Sequence, residues 1–144
     1  VPYAGEASEA QTLEEWHKGM DTNLTSAFLF AQAVGPYMLR QKKGKFISTS
    51  SVNADEGVPG MSIYNASKAG LSSFTRTLAS EWGPYNINVN AVAPGIISTP
   101  LSAPLLAVPE VKRFYLNMGD FGNYSAKNSM KSPGRTGLAF IKYW

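Results

Sequence analysis

Three polar side chains stand at spacings that suit proton transfer: Ser51, Tyr64 and Lys68. Tyr64 and Lys68 are four residues apart, so on a helix they project from one face. A cation beside a phenol favours the phenolate and makes the phenolic proton easier to give up. Ser51 lies thirteen positions before Tyr64, at the end of the run Phe46-Ile47-Ser48-Thr49-Ser50. A hydroxyl, a phenol and an ammonium converging on one carbonyl oxygen could stabilise its developing charge and hand it a proton. Taken singly, each residue has an ordinary reading. Ser51 would be a strand-end cap, Tyr64 a half-buried helix residue and Lys68 its solvated neighbour.

The elements that must position these residues are legible from the pattern. Thr12-Leu13-Glu14-Glu15 is a capping box, and Leu13, Trp16, Met20, Leu24, Ala27, Phe28 and Ala31 recur at helical spacing behind it. That helix is expected to reach about Arg40. A bend is expected at Gly35-Pro36, where the missing proline N–H leaves the Gln32 carbonyl without a partner. Gln41-Lys42-Lys43-Gly44 closes it, with basic residues near the end and a glycine after. Lys45 to Ser50 reads as a short strand. A Gly/Pro-containing loop follows, and then a second helix from about Ser62 to Trp82, with Tyr64, Leu71, Phe74, Leu78 and Trp82 on a stripe. Gly83-Pro84 stops it. Asn86 to Ala93 alternates and reads as a second strand, turned by Pro94-Gly95. Strand, long helix, strand is the unit that joins parallel strands, so the class is α/β, doubly wound.

Composition bounds the chemistry further. The 144 residues suit one domain and contain no cysteine and one histidine, His17. Thiolate metal sites, disulfides and a histidine-based zinc site are therefore excluded, and His17 reads as a surface residue. No apolar run approaches the ~18 residues of a membrane span, and no charged-then-apolar leader opens the chain, so a cytoplasmic protein is expected. The net charge of +3 is uneven. Up to Leu101 there are seven Lys/Arg against eight Asp/Glu; from Ser102 onward there are six against two. That shift divides the chain into 1–101 and a basic tail, 102–144, in which a short helix is expected at Val108 to Met118 and no regular structure beyond. The tail interleaves Lys/Arg with aromatic residues, but no nucleic-acid-binding pattern organises it, and a solvated tail is the reading adopted.

From about Leu13 to Leu101 the chain resembles the short-chain dehydrogenase/reductases. Five features carry the resemblance in order: Asp21-Thr22-Asn23-Leu24; Ser50-Ser51; Tyr64-Asn65-Ala66-Ser67-Lys68; Asn88-Val89-Asn90; and Pro94-Gly95-Ile96-Ile97-Ser98-Thr99. A lone Tyr-x-x-x-Lys is weak, whereas all five at these separations are specific. The resemblance implies a Rossmann-like parallel sheet and an NAD- or NADP-dependent interconversion of a secondary alcohol and a ketone, of the 3-oxoacyl reductase or sugar/polyol dehydrogenase kind. It implies a catalytic set of Asn23, Ser51, Tyr64 and Lys68. Tyr64 would be the general acid or base, Lys68 would hold the nicotinamide ribose and ease proton release, Ser51 would bind the carbonyl oxygen, and Asn23, at a kinked stretch of the first helix, would anchor a water that relays protons between Lys68 and solvent. Tyr64 and Lys68 together with Pro94, Gly95, Ile97 and Thr99 would contact the cofactor.

The family's glycine-rich phosphate turn, its NAD/NADP-selecting residue and its Asn-Asn-Ala-Gly segment do not occur in these residues. The expectation is a partial sheet, the catalytic part of such a domain with an irregular tail; an inactive or interaction-only fragment is the alternative. A strand edge and helix faces normally covered by the rest of the domain would be exposed, so the chain is expected to self-associate or to need a partner. Ala69 and Ser73, small residues on the second helix, fit the helix-on-helix contact through which the family forms homo-oligomers. A small-molecule alcohol or ketone is the expected substrate, with no nucleic-acid or membrane partner.

Overall fold

Thr12 opens the first helix as the capping box predicts. In the computed structural model, which describes residues 5–97, 99, 100 and 102–118, α1 (Leu13–Met20) is capped from both sides. The Thr12 N–H donates to Glu15 Oε2 at 2.7 Å, and the Glu15 N–H donates to Thr12 Oγ1 at 3.2 Å. The Thr12 backbone N–H, and then its hydroxyl, hold the Glu15 carboxyl below its usual range. The helix passes through a π-helical turn, Asp21–Thr25, into α2 (Ser26–Gln41). The sequence pattern places the irregularity at Gly35-Pro36, yet Pro36 lies inside a continuing α2 and the widened turn falls ten residues earlier or more. There, Thr25 Oγ1 donates to Asp21 Oδ1 at 2.9 Å and Ser26 Oγ donates to the Thr22 carbonyl at 2.6 Å. Lys42, at φ 49°, takes the left-handed position that ends α2, and Gly44 instead begins the strand.

Strand β1 (Gly44–Thr49) pairs in parallel with β2 (Ile87–Val92), in a register running from Gly44 opposite Ile87 to Thr49 opposite Val92. Between them lies α3 (Ser62–Trp82), with the bounds the pattern predicts. The class is α/β with a parallel sheet, as expected, and each strand is one residue off its predicted start. Short 3-10 turns at Val52–Ala54 and Gly83–Tyr85 were not legible beforehand. The C-terminal part holds α4 (Ala103–Leu106), which no pattern signalled, and α5 (Pro109–Met118), close to the predicted helix. Only α4 falls where no regular structure was expected, and Val111 of α5 is buried. The remaining readings for the tail fall on 119–144, outside the described residues, as do Ser98 and Leu101.

One face of the sheet makes the core. Phe46, Ile87 and Val89 pack with Ala31 of α2 and with Leu78 and Trp82 of α3. The Phe46 and Trp82 rings meet edge to face at 5.8 Å. Gly35 makes room for the indole, since a Cβ there would lie 2.9 Å from Trp82 Cζ2. The opposite face carries Ile47, 65% exposed. Among the described residues the sheet has two strands, so each presents an unpaired edge. Apolar side chains also remain exposed on the helices, Leu29, Phe30 and Tyr37 among them. No described helix is long and apolar enough to cross a membrane.

Truncation should separate the two faces. Trp82→Ala is expected to cost about 3–5 kcal/mol, the range for emptying a packed aromatic site. Ile47→Ala should cost under about 0.5 kcal/mol, as at exposed positions. Denaturant midpoints at constant slope read both; equal costs would contradict this placement of the core.

Candidate active site

The site lies where both parallel strands end. The Ser50 N–H donates to the Val92 carbonyl at 2.7 Å, and the Val52 N–H donates to the Pro94 carbonyl at 3.1 Å. The segments leaving β1 and β2 are therefore held side by side at the carboxyl edge of the sheet, the usual place for ligands in open α/β sheets. Ser51 is buried there in extended backbone, and its Oγ accepts from the Asn53 N–H at 3.2 Å, capping the short turn Val52–Ala54. Among the described residues the Ser51 hydroxyl hydrogen has no acceptor, so it is available to a ligand oxygen. Its cap role and its candidate site role are thus compatible.

Tyr64 stands in the first turn of α3, half-buried, with Lys68 one turn on. The Lys68 ammonium lies 5.7 Å from the centre of the Tyr64 ring, within cation–π range. It donates to the Thr49 carbonyl at 2.8 Å, which binds α3 to the strand two residues before Ser51. Burial pushes the Lys68 amine below its ordinary value, because the charged form loses water. One hydrogen of the ammonium is spent on Thr49, leaving donors of a kind that suits a pair of vicinal hydroxyls.

Asn23 comes from the π-helical turn, a feature found often at functional sites. Its Nδ2 donates to Ser67 Oγ at 3.0 Å, and Ser67 Oγ donates to the Tyr64 carbonyl at 2.8 Å. Asn23 is thereby joined to the Tyr64–Lys68 helix through a fully buried serine. Close approach makes this reachable. A Cβ on Gly70 would lie 2.9 Å from Leu24 Cδ2, and one on Gly19 would run into Ile63 Cγ2.

The cofactor candidates divide. Pro94 and Gly95 are half-buried beside the Ser51 segment. Ile97 is 48% exposed, and Thr99 serves the start of α4: its carbonyl accepts from Ser102 and Ala103, and its N–H donates to Ser102 Oγ at 2.9 Å. Ser102 Oγ also donates to the Ile97 carbonyl at 2.6 Å, so one serine holds this stretch together. His17 is exposed, and no group of metal-ligating side chains occurs among the described residues.

Sequence reasoning missed the buried hydroxyls between β1 and α3. Ser50 and Ser72 meet at 2.6 Å, and Thr75 Oγ1 donates to Ser48 Oγ at 3.1 Å. A signal existed: Ser48 and Ser50 share the strand face of Phe46, so their hydroxyls face inward and must find partners.

Residues 3–108 match the family model described as short chain dehydrogenase. A 3-oxoacyl-(acyl-carrier-protein) reductase of Synechocystis is 45% identical over 97 residues, covering 67% of this chain and 39% of the relative. A cyclopentanol dehydrogenase of Comamonas testosteroni is 38% identical over 103 residues, 72% of this chain and 41% of the relative. The crystal structure of a gluconate 5-dehydrogenase from Burkholderia cenocepacia, in complex with NADP and tartrate, superposes with a TM-score of 0.68 at 31% identity, over 72% of this chain and 41% of that one. The chain thus spans about two fifths of the length of these relatives. With its parallel strands, its Ser51/Tyr64/Lys68 edge and a matching stretch that covers most of its residues, the chain belongs to the short chain dehydrogenase family.

Proposed function

We propose that this chain supplies the proton-transfer side of an NAD- or NADP-dependent oxidoreduction between a secondary alcohol and a ketone, with Asn23, Ser51, Tyr64 and Lys68 as its working residues. The observation that carries the reading is the free Ser51 hydroxyl at the carboxyl edge of β1, on the strand to which Lys68 ties the Tyr64 helix. The nicotinamide, when bound, supplies or accepts the hydride at the substrate carbon. Ser51 donates to the substrate oxygen and favours its developing negative charge. Tyr64 gives its phenolic proton to that oxygen in reduction and takes one in oxidation. Lys68 holds the cofactor ribose hydroxyls, and its charge favours the phenolate. Asn23, linked through Ser67, keeps the helix turn in place and anchors a proton path from Lys68 to solvent. Pro94, Gly95, Ile97 and Thr99 form the cofactor's nicotinamide side.

The likeness to 3-oxoacyl reductases and to alcohol and sugar dehydrogenases supports a small hydroxy or keto substrate. The exposed aromatic residues Phe28 and Phe30 on α2, with Ala69 and the exposed Ser73 on α3, support a homo-oligomer formed through the long helices. Sedimentation should show a dimer or larger species; a monodisperse monomer at micromolar concentration would contradict it.

Nicotinamide fluorescence tests the reading. NADH or NADPH should gain fluorescence with this chain, or with a chain extended upstream to carry a phosphate-binding glycine turn. Where turnover is present, Tyr64→Phe should lower it by more than about 100-fold with cofactor binding retained, the upper part of the range for a general acid. Retained activity within tenfold would remove Tyr64 from its role. Absence of cofactor binding in both forms would favour an inactive, association-only fragment.

Lys68 adds a pH dependence. Its folded value is below the 10.5 it regains on unfolding. Between the two values the unfolded chain holds the extra proton, so unfolding free energy rises with pH across that window and is lost as pH falls. Lys68→Met should flatten that rise and abolish turnover. An unchanged slope would mean that the amine is not desolvated.

A further inference from the structure

The turn that delivers the chain into α3 is held from a distant place. Met61, the residue before the helix, provides no side-chain cap. Ser62, the first helical residue, instead donates its hydroxyl to Gln11 Oε1 at 2.6 Å. The other end of the same amide is also engaged: Gln11 Nε2 donates to the Glu6 carbonyl at 2.9 Å and, more weakly, to the Gly60 carbonyl at 3.5 Å. One side chain therefore joins three places in the chain, two through their carbonyls and one through a hydroxyl. These are the segment before α1, the turn at Gly60 and the first residue of α3.

A second contact closes the same clasp. Gly60 has φ +79°, a left-handed conformation that favours glycine. A Cβ on Gly60 would lie 2.8 Å from both the nitrogen and the oxygen of Gly5, and a Cβ on Gly5 would lie 2.5 Å from the Gly60 oxygen. Backbone meets backbone here because neither residue has a side chain. On the next residue along, Ile63 sits against Gly19 of α1, so the entry to α3 is gripped on either side of Ser62. Tyr64 follows two residues after Ser62.

We infer that Gln11 is a positioning residue for Tyr64, fastening the loop between Ser51 and Tyr64 to the segment that precedes α1. The inference rests on the proposed function for what Tyr64 does, and on the geometry above for how Tyr64 is held. Without Gln11 the Gly60 turn and the first turn of α3 lose their long-range hydrogen bonds. The Gly19–Ile63 contact and the bond from Lys68 to Thr49 remain, so the helix stays folded while its first turn loosens. Reactions that depend on aligned groups lose rate steeply on displacements of about 1 Å, so the phenol's misplacement should lower kcat and leave cofactor binding alone.

The test uses Gln11→Ala, Ser62→Ala, the double variant and Ser62→Thr in the form of the protein that turns over. Each alanine variant should lower kcat roughly 10-fold, with the KM for nicotinamide cofactor within about twofold. The double variant should be no worse than Gln11→Ala, which already removes the bond that Ser62→Ala breaks. Ser62→Thr retains the hydroxyl and should restore most of the rate. Hydrogen exchange should rise severalfold at the amides of residues 60–64 in Gln11→Ala, with those of β1 and β2 unchanged. Rates within twofold of wild type, multiplicative losses in the double variant, or unchanged exchange at 60–64 would each overturn the positioning role. A wild type with no turnover in any form would instead count against the proposed function, which separates the two failures.

Discussion

Ser50 against Ser72 and Ser48 against Thr75 make a polar seam between β1 and α3, and the site depends on it. Each hydroxyl is buried, and an inward hydroxyl without a partner would cost about 1–3 kcal/mol. Sliding α3 along the strand by one turn would break both pairs at once. The seam therefore admits one axial placement of the helix, whereas the surrounding apolar contacts of Leu78 and Trp82 are less directional. Lys68 reinforces the same placement from the edge, through the Thr49 carbonyl. Tyr64 is thus set relative to Ser51 by bonds that neither residue makes.

The first helix answers a second constraint. To carry Asn23 to Ser67, it must come close to α3 while its far end covers the Phe46–Trp82 core. Glycines at 19, 35 and 70 permit the approach along its length. The π-helical turn changes which side chains face α3 on either side of it, since an added residue per turn rotates the following helix relative to a regular one. Packing and site geometry are here the same problem.

The candidate site residues gather at one edge for a reason common to parallel sheets. Both strands run in the same direction, so both end at the same edge, and the segments beyond them, Ser51–Ala54 and Pro94–Ile97, are forced together. The helix that follows β1 begins near that edge, which is why Tyr64 and Lys68, on its first two turns, lie there and Trp82, on its last, lies in the core. The uncovered sheet face with Ile47 and the exposed aromatics of α2 belong to the same architecture: a doubly wound sheet has two faces to cover, and the described elements cover one.

Much of this was open to reading from the residues alone. The capping box at Thr12, the apolar stripe of α3 and the alternation of β2 are local patterns, and local hydrogen bonding and burial periodicity produce them directly. The spacing of Ser51, Tyr64 and Lys68 likewise named the candidate site, because residue type and spacing are sequence properties, whereas Asn23 was named through the family resemblance. What only the tertiary structure decided involves contacts between residues far apart in the chain. Local pattern pointed to a bend at Pro36, and the kink at Asn23 was implied by the family resemblance alone. Nothing local foretold that Lys68 would reach Thr49, that Asn23 would bond to Ser67, or that Gln11 would hold Ser62 across fifty-one residues. Periodicity says which face of an element is buried; the partner waiting on that face is set by how the elements pack.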